Sequence, residues 1–217
     1  MPGTLCHVAF GEMVYRKLAS YMPLSKKDFL SGNLIPDLSK EDKVLSHYRK
    51  KASVKGLFIP DMKRVEKELL TVHNPIRLGM YTHLYLDERF IEGFLIPSFI
   101  WYEPTMTIIN PRNGLKWTPE PFFKSGGIYY QAFEEINQML IKDGYVSMET
   151  ISQMPEILPN TGMPVFDNRQ KKPWKQEIEE YFIKTREYTG DVFDYKSLAR
   201  FLENTANELA DEIINKT

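Results

Sequence analysis

The sequence predicts an all-α fold, on three observations. Apolar residues recur at helical spacing in several segments, and no segment alternates as a half-buried strand would. One stretch near the middle is apolar on nearly every face, as a buried central helix is. With 42% apolar and 13% aromatic residues in 217, the chain has ample material for a core and is no candidate for disorder.

Residues 7–22 read as the first helix, with Val8, Phe10, Val14, Tyr15 and Leu18 on its apolar side. Pro23 and the polar run Ser25–Asp28 end it. A short helix or turn around Asp28–Gly32 feeds Gly32-Asn33-Leu34-Ile35-Pro36-Asp37, where glycine and proline predict a fixed, non-helical backbone. Residues 40–50 are charged and read as a turn or short helix ending in Ser46-His47-Tyr48. An amphipathic helix follows from Asp61 to about His73. Asn74-Pro75 then has the form of an N-cap with proline at the first helical position. It opens the all-round apolar helix of Ile76, Leu78, Met80, Leu84, Leu86 and Phe90. Five prolines punctuate residues 97–125, whose Trp and Phe content suits an ordered loop or lid packed on the domain better than a linker. Its Tyr and Trp residues either wall a pocket or, on the plainer reading, anchor the core. Residues 127–143 and 148–154 read as helices, 155–173 as a second long loop, and Trp174–Glu187 and Tyr195–Asn215 as the last two helices. The expected organisation is a single domain over 1–217, with its first part at about 5–95 and a loop-and-helix part at about 96–217.

Charge narrows the function classes. Lysine and arginine total 28 against 29 acidic residues, so no broad surface for nucleic acid or anionic membrane is expected. A small phosphorylated ligand needs only a local site. Cys6 is the single cysteine, which rules out an internal disulfide. No secretion signal and no apolar run of transmembrane length is visible, so the expectation is a cytoplasmic protein. No phosphate-cradling glycine loop or nucleophile elbow is present, and no motif encodes an oligomeric state.

The chemistry concentrates in histidine, of which there are four: His7, His47, His73 and His83. His83-Leu-Tyr-Leu-Asp87 puts an imidazole and a carboxylate on one helix face, about 5–6 Å apart at Cβ. That helix is the one predicted to be buried, where an ionised Asp87 needs a metal or another cation against its desolvation. A core His–Asp hydrogen bond is the plain alternative. Asp37 follows Pro36, and His47 lies ten residues on; separately they read as a turn residue and a surface histidine, and His7 as a core histidine. His73 reads as a helix-end residue stabilised by the local dipole. Imidazole with carboxylate suits Zn²⁺, Mn²⁺ or Fe²⁺.

Four pieces in order resemble the zinc-dependent phospholipase C family and, more distantly, the P1-type nucleases. They are Cys6-His7-Val8-Ala9-Phe10-Gly11, Phe29-Leu30-Ser31-Gly32-Asn33-Leu34-Ile35-Pro36-Asp37, Ser46-His47, and Gly79-Met80-Tyr81-Thr82-His83-Leu84-Tyr85-Leu86-Asp87. The resemblance covers residues 5 to 95. It implies a phospholipase C/P1 nuclease-type all-α fold in which Asp37, His47, His83 and Asp87 hold one divalent metal. Asp87 would bridge to a second ion bound also by His7, and metal-bound water would cleave a phosphodiester. On chemical grounds Asp37 is the carboxylate expected to orient or deprotonate that water in hydrolysis of a phosphate ester or phosphodiester. The pattern departs downstream, because no histidine follows His83. The remaining family site is therefore missing or rebuilt from Glu88, Glu92, Glu134 or Glu135, which leaves one or two ions. Two other readings stand beside hydrolysis of a phosphate ester. One is a non-catalytic all-α protein with a residual structural metal. The other is an HD-type phosphohydrolase, disfavoured because no adjacent His-Asp pair occurs.

Overall fold

Ser25 opens a helix through residues expected to be irregular. In the computed structural model, which describes residues 2–39, 41–168, 174–184 and 186–216, the Ser25 hydroxyl accepts the Asp28 N–H, and α2 runs Lys26–Leu38 with Pro36 inside it. The expected non-helical backbone at Gly32–Asp37 is thus overturned. Phe29, Leu30, Leu34 and Ile35 are buried along this helix, and that packing outweighs the local preferences of Gly32 and Pro36. Pro36 falls in the last turn, where it removes one i→i−4 hydrogen bond, a cost the packing also outweighs.

The chain is mostly helical. α1 (Thr4–Leu18) packs on α2 and on the C-terminal helix α12 (Tyr195–Asn215), which Asp194 caps by accepting the Ser197 N–H. α3 is one short turn, Lys43–Ser46, and α4 spans Met62–Leu69, shorter than expected. α5 (Pro75–Phe90) is the predicted central helix, and Asn74 does cap it, accepting the Arg77 N–H at 3.1 Å. Eleven of its residues are buried, so it lacks a solvent face wide enough for amphipathic patterning. A π-helical turn, Ile91–Leu95, continues α5 into the short α6 (Ile96–Ser98). α7 (Pro119–Phe123), α8 (Ile128–Lys142), α9 (Met148–Gln153), α10 (Pro164–Asp167) and α11 (Trp174–Ile183) complete the set. The 155–173 loop thus contains a helical turn, though residues 169–173 lie outside the described ones.

Two small antiparallel sheets stand where no strand was expected. β1 (Arg49–Lys51) pairs with β2 (Phe58–Pro60), and β3 (Ile100–Tyr102), β4 (Thr107–Ile109) and β5 (Lys116–Trp117) form a meander. Strands of two or three residues are too short to print a period of two on the sequence. The aromatic 97–125 stretch folds onto the core, as expected, and its rings pack with residues from α8 and from the loop before α12. Phe99 and Phe122 lie 5.6 Å apart and Phe99 meets Phe193 at 5.9 Å.

Tight packing of α2 on α5 positions everything that follows. A Cβ added at Gly32 would stand 2.0 Å from the Ile76 carbonyl oxygen, and one at Gly79 would stand 2.0 Å from that of Phe29. Only glycine at both positions lets the two backbones approach so closely. Elsewhere a buried Glu12 on α1 ties three elements together. It meets Lys26 of α2 at 2.7 Å and accepts the Thr150 hydroxyl of α9 at 2.8 Å.

Candidate metal centre

Four elements deliver five side chains to one place. His7 comes from α1, Asp37 from the last turn of α2, His47 from the end of α3, and His83 and Asp87 from successive turns of α5. Immediately after His47 the chain turns back through Tyr48, whose φ of +49° is the left-handed conformation that bulky residues seldom adopt. His73, set aside on the sequence, is exposed at the turn before α5 and takes no part.

The geometry is that of ligands around an ion. The Nε2 of His7 is 3.4 Å from Asp87 Oδ1, and that of His47 is 3.3 Å from Asp37 Oδ1 and 3.6 Å from Asp87 Oδ2. The Nε2 of His83 is 3.8 Å from Asp37 Oδ2 and 3.6 Å from Asp87 Oδ2. Two ligand atoms bound tetrahedrally at about 2.0–2.2 Å stand roughly 3.3–3.6 Å apart. These contacts are not hydrogen bonds: His7, His47 and His83 Nε2 and both Asp87 oxygens are buried without a partner. Orphans of this kind are rare in a folded interior and call for an explanation. A divalent cation would give partners to the orphaned atoms it coordinates. Two groups, His7–Asp37–His83 and His47–His83–Asp87, each bring their ligand atoms within 4.8 Å of one another. The buried His/Asp set can therefore hold a metal ion.

Tautomers follow from the surroundings. The Nδ1 of His83 lies 2.7 Å from the Asn33 carbonyl oxygen, which can only accept. Nδ1 therefore carries the proton, and Nε2 offers its lone pair to the cluster. His47 Nδ1 meets the Ser46 hydroxyl at 2.9 Å, a contact that holds the ring whichever of the two atoms donates. His7 stacks on His83 with ring centroids 3.7 Å apart.

Electrostatics favour the binding state. Burial and the neighbouring His7 drive the His83 pKa down to about 3, against the pull of the two carboxylates, so the ring is neutral at ordinary pH. Burial also lowers His47. Burial raises Asp87, but His7, His83 and His47 outweigh it and hold the carboxyl down at about 2. Asp37 follows the same pattern: against burial, His83, His47 and Lys43 keep it well below the usual carboxylate range. Lys43 Nζ sits 2.6 Å from Asp37 Oδ1. This cation on α3 had no role in the sequence reading, and its only signal is its place six residues beyond Asp37.

The downstream candidates do not join the cluster. Glu92 accepts the backbone N–H and the hydroxyl of Ser53, Glu134 pairs with Arg186, Glu135 accepts the hydroxyl and backbone N–H of Thr189, and Glu88 lies beside Arg89. Cys6, next to His7, is buried, and that burial pushes its thiol up to about 12, so it supplies no thiolate. Nor do Trp101 and Trp117 wall the site. They pack with Phe99, Phe122 and Phe123 instead. Trp174 and Tyr181 of α11 stand there, lining a small cleft with Asp37. No described helix is long and apolar enough to cross a membrane. Among known proteins the chain matches no family model, no curated protein and no solved structure, so the chemistry of the centre is read from its own residues.

Proposed function

We propose that the chain is a metal-dependent hydrolase of a phosphate ester, with Asp37, His47, His83 and Asp87 holding a zinc-type ion and His7 flanking it. The observation that carries this reading is the convergence, at 3.3–3.8 Å, of the unpartnered Nε2 atoms of the three histidines with the unpartnered Asp87 oxygens and with Asp37. The two imidazoles suit Zn²⁺ and the two carboxylates make the site harder, so Mn²⁺ or Fe²⁺ are the alternatives. When bound, such an ion supplies Lewis acidity, lowering the pKa of water and polarising a phosphoryl oxygen.

The chain's own residues do the rest. Asp37, with its side chain 24% exposed, is the one member of the cluster that faces outward. Held ionised by His83, His47 and Lys43, it is a weak base, so its role is to accept a hydrogen bond from the attacking water and orient it. Lys43 adds positive charge at the rim for the phosphate. In the net step the water oxygen bonds to phosphorus, the ester P–O bond breaks, and one water proton ends on the departing alcohol.

One observation favours a second reading, a structural metal without catalysis. His7, His47, His83 and Asp87 are each at most 1% exposed, which is the closed character of structural sites. Elemental analysis of protein purified without added metal, followed by a panel of phosphomonoesters and phosphodiesters, separates the two. Hydrolysis requires bound metal, measurable turnover, and its loss in a folded His83→Ala variant. Bound metal with no turnover on any substrate, and only a lower melting temperature in His83→Ala, establishes the structural role. Absence of bound transition metal, with no affinity for added Zn²⁺ or Mn²⁺, overturns both.

A further inference from the structure

Access to the centre is confined to one side. The other four members of the cluster are at most 1% exposed, so an incoming group must arrive over Asp37. The cleft at Asp37 has a volume of about 70 Å³ and is walled by Leu34 and Leu38 of α2 and by Trp174, Ile178 and Tyr181 of α11. Glu177 and Tyr181 also line a second, larger cleft of about 570 Å³, which holds Gln138, Lys184 and Arg186. The two clefts thus share a boundary on α11.

We infer that the inner cleft is a neck that passes only a terminal phosphate, so that the substrates of this centre are phosphomonoesters whose alcohol portion stays in the outer cleft along α11. This deepens the hydrolase reading and rests on its metal centre. Size decides the matter. An apolar cavity of about 150 Å³ is what holds a benzene ring. The neck offers less than half of that, enough for a group the size of two or three waters. A phosphate terminus fits, and a phosphodiester with a ring on each side does not. The outer cleft falls within the range of about 300–1,000 Å³ that accommodates whole small ligands. Its character is polar and charged, with Lys184 held by Glu180 and Arg186 by Glu134, which suits a hydroxylated or mixed-charge alcohol better than a lipid tail. Besides Asp37 the polar members of the neck are Thr4, Glu177 and Tyr181, and the rest of its lining is apolar; Lys43, paired with Asp37, supplies counter-charge for the phosphate.

The test uses the full chain loaded with Co²⁺, whose d–d absorption reports on the coordination sphere. Inorganic phosphate, an alkyl phosphomonoester and diphenyl phosphate are titrated in turn. Phosphate and the monoester are expected to perturb the spectrum, with diphenyl phosphate at least about tenfold weaker. Leu38→Trp, a partly buried position on the neck, should slow phosphate binding by about tenfold or more with Co²⁺ content unchanged, an effect that loss of stability does not produce. Ile178→Ala should widen the neck and admit diphenyl phosphate. Equal binding of phosphate and diphenyl phosphate by the unaltered protein, or unchanged phosphate kinetics in Leu38→Trp, overturns the inference and leaves the metal centre standing. Failure to take up Co²⁺ or Zn²⁺ at all removes the hydrolase reading and the inference with it.

Discussion

Gly79 of α5 rests on Gly32 of α2 so closely that a Cβ on Gly79 would lie 3.0 Å from the Gly32 Cα and 2.0 Å from the Phe29 carbonyl oxygen. Asp37 lies five residues beyond one of these glycines and His83 four beyond the other, so the crossing point sets the spacing of the ligands. The same approach puts the Asn33 carbonyl on His83 Nδ1. Gly79→Ala should therefore act twice. Forcing the helices apart should cost about 1–3 kcal/mol or more, as overpacking does where backbone must move. It should also weaken metal binding, because Asp37 moves with α2. Denaturant unfolding of the metal-free protein checks the first effect and metal titration the second. Full affinity in a destabilised variant would show that the crossing sets stability alone.

Asp87 tests a metal ligand against a core ion pair. It is fully buried, and neither oxygen has a hydrogen-bond partner. In the metal-free protein the desolvation of this carboxylate is offset by the imidazoles of His7, His83 and His47. Asp87→Asn removes both that desolvation cost and the offsetting imidazole interactions, so it should change the stability of the metal-free protein by no more than about 1 kcal/mol. It should also abolish the rise in Tm on adding Zn²⁺. For the unaltered chain, ligand at a hundredfold excess over Kd is worth about 2.7 kcal/mol, or roughly 5–11 °C in a chain of this size. A metal-free Asp87→Asn protein that melts well below the unaltered one would instead assign Asp87 to the imidazole pairs.

These contrasts show where sequence was informative. The Asn74 cap, the central α5 and the shared face of His83 and Asp87 were legible because each depends on residues within one or two turns. The joining of His7, Asp37 and His47 to that face was legible only through resemblance, since it depends on contacts across the chain. The course of residues 32–37 was misread for a physical reason. Glycine and proline oppose a helix locally, but here Gly32 makes the helix crossing possible, and its partner Gly79 is 47 positions away. The Lys43–Asp37 pair and the α11 wall of the cleft likewise leave no periodic trace.

The metal-free protein should lose stability as pH falls below neutrality. Burial, followed by the adjacent His7, lowers His83 to about 3 in the fold, against about 6.5 for an unfolded histidine. Between these values the unfolded chain holds a proton that the folded ring refuses. The stability associated with the neutral ring is thus complete above about pH 6.5 and drains away as pH falls toward 3, by up to about 1.4 kcal/mol per unit. His47 is lowered in the same direction and adds to the slope. The depressed Asp37 and Asp87 extend the loss below about pH 4, where the unfolded carboxylates begin to protonate. Urea midpoints at pH 7.5, 6 and 5 measure the slope. His83→Gln should flatten it, whereas an unchanged slope would place the responsible protons elsewhere.

Lys43 offers a test in which two properties move in opposite directions. Its ammonium is 2.6 Å from Asp37 Oδ1 and about a third exposed, so it competes with an ion for that oxygen while remaining partly screened by water. Lys43→Met should tighten metal binding, by about three- to tenfold once screening is allowed for. An anionic ester approaching over Asp37 would lose the only cation that contacts this carboxylate among the described residues. KM for a phosphomonoester should therefore rise severalfold as metal affinity improves. Metal titration by calorimetry and steady-state kinetics on the same preparation give both numbers. If metal affinity and KM both stay unchanged, Lys43 is a surface partner of Asp37 with no part in the centre. If metal affinity falls, the lysine is holding Asp37 in its binding geometry, and the carboxylate's position rather than its charge is what α3 contributes.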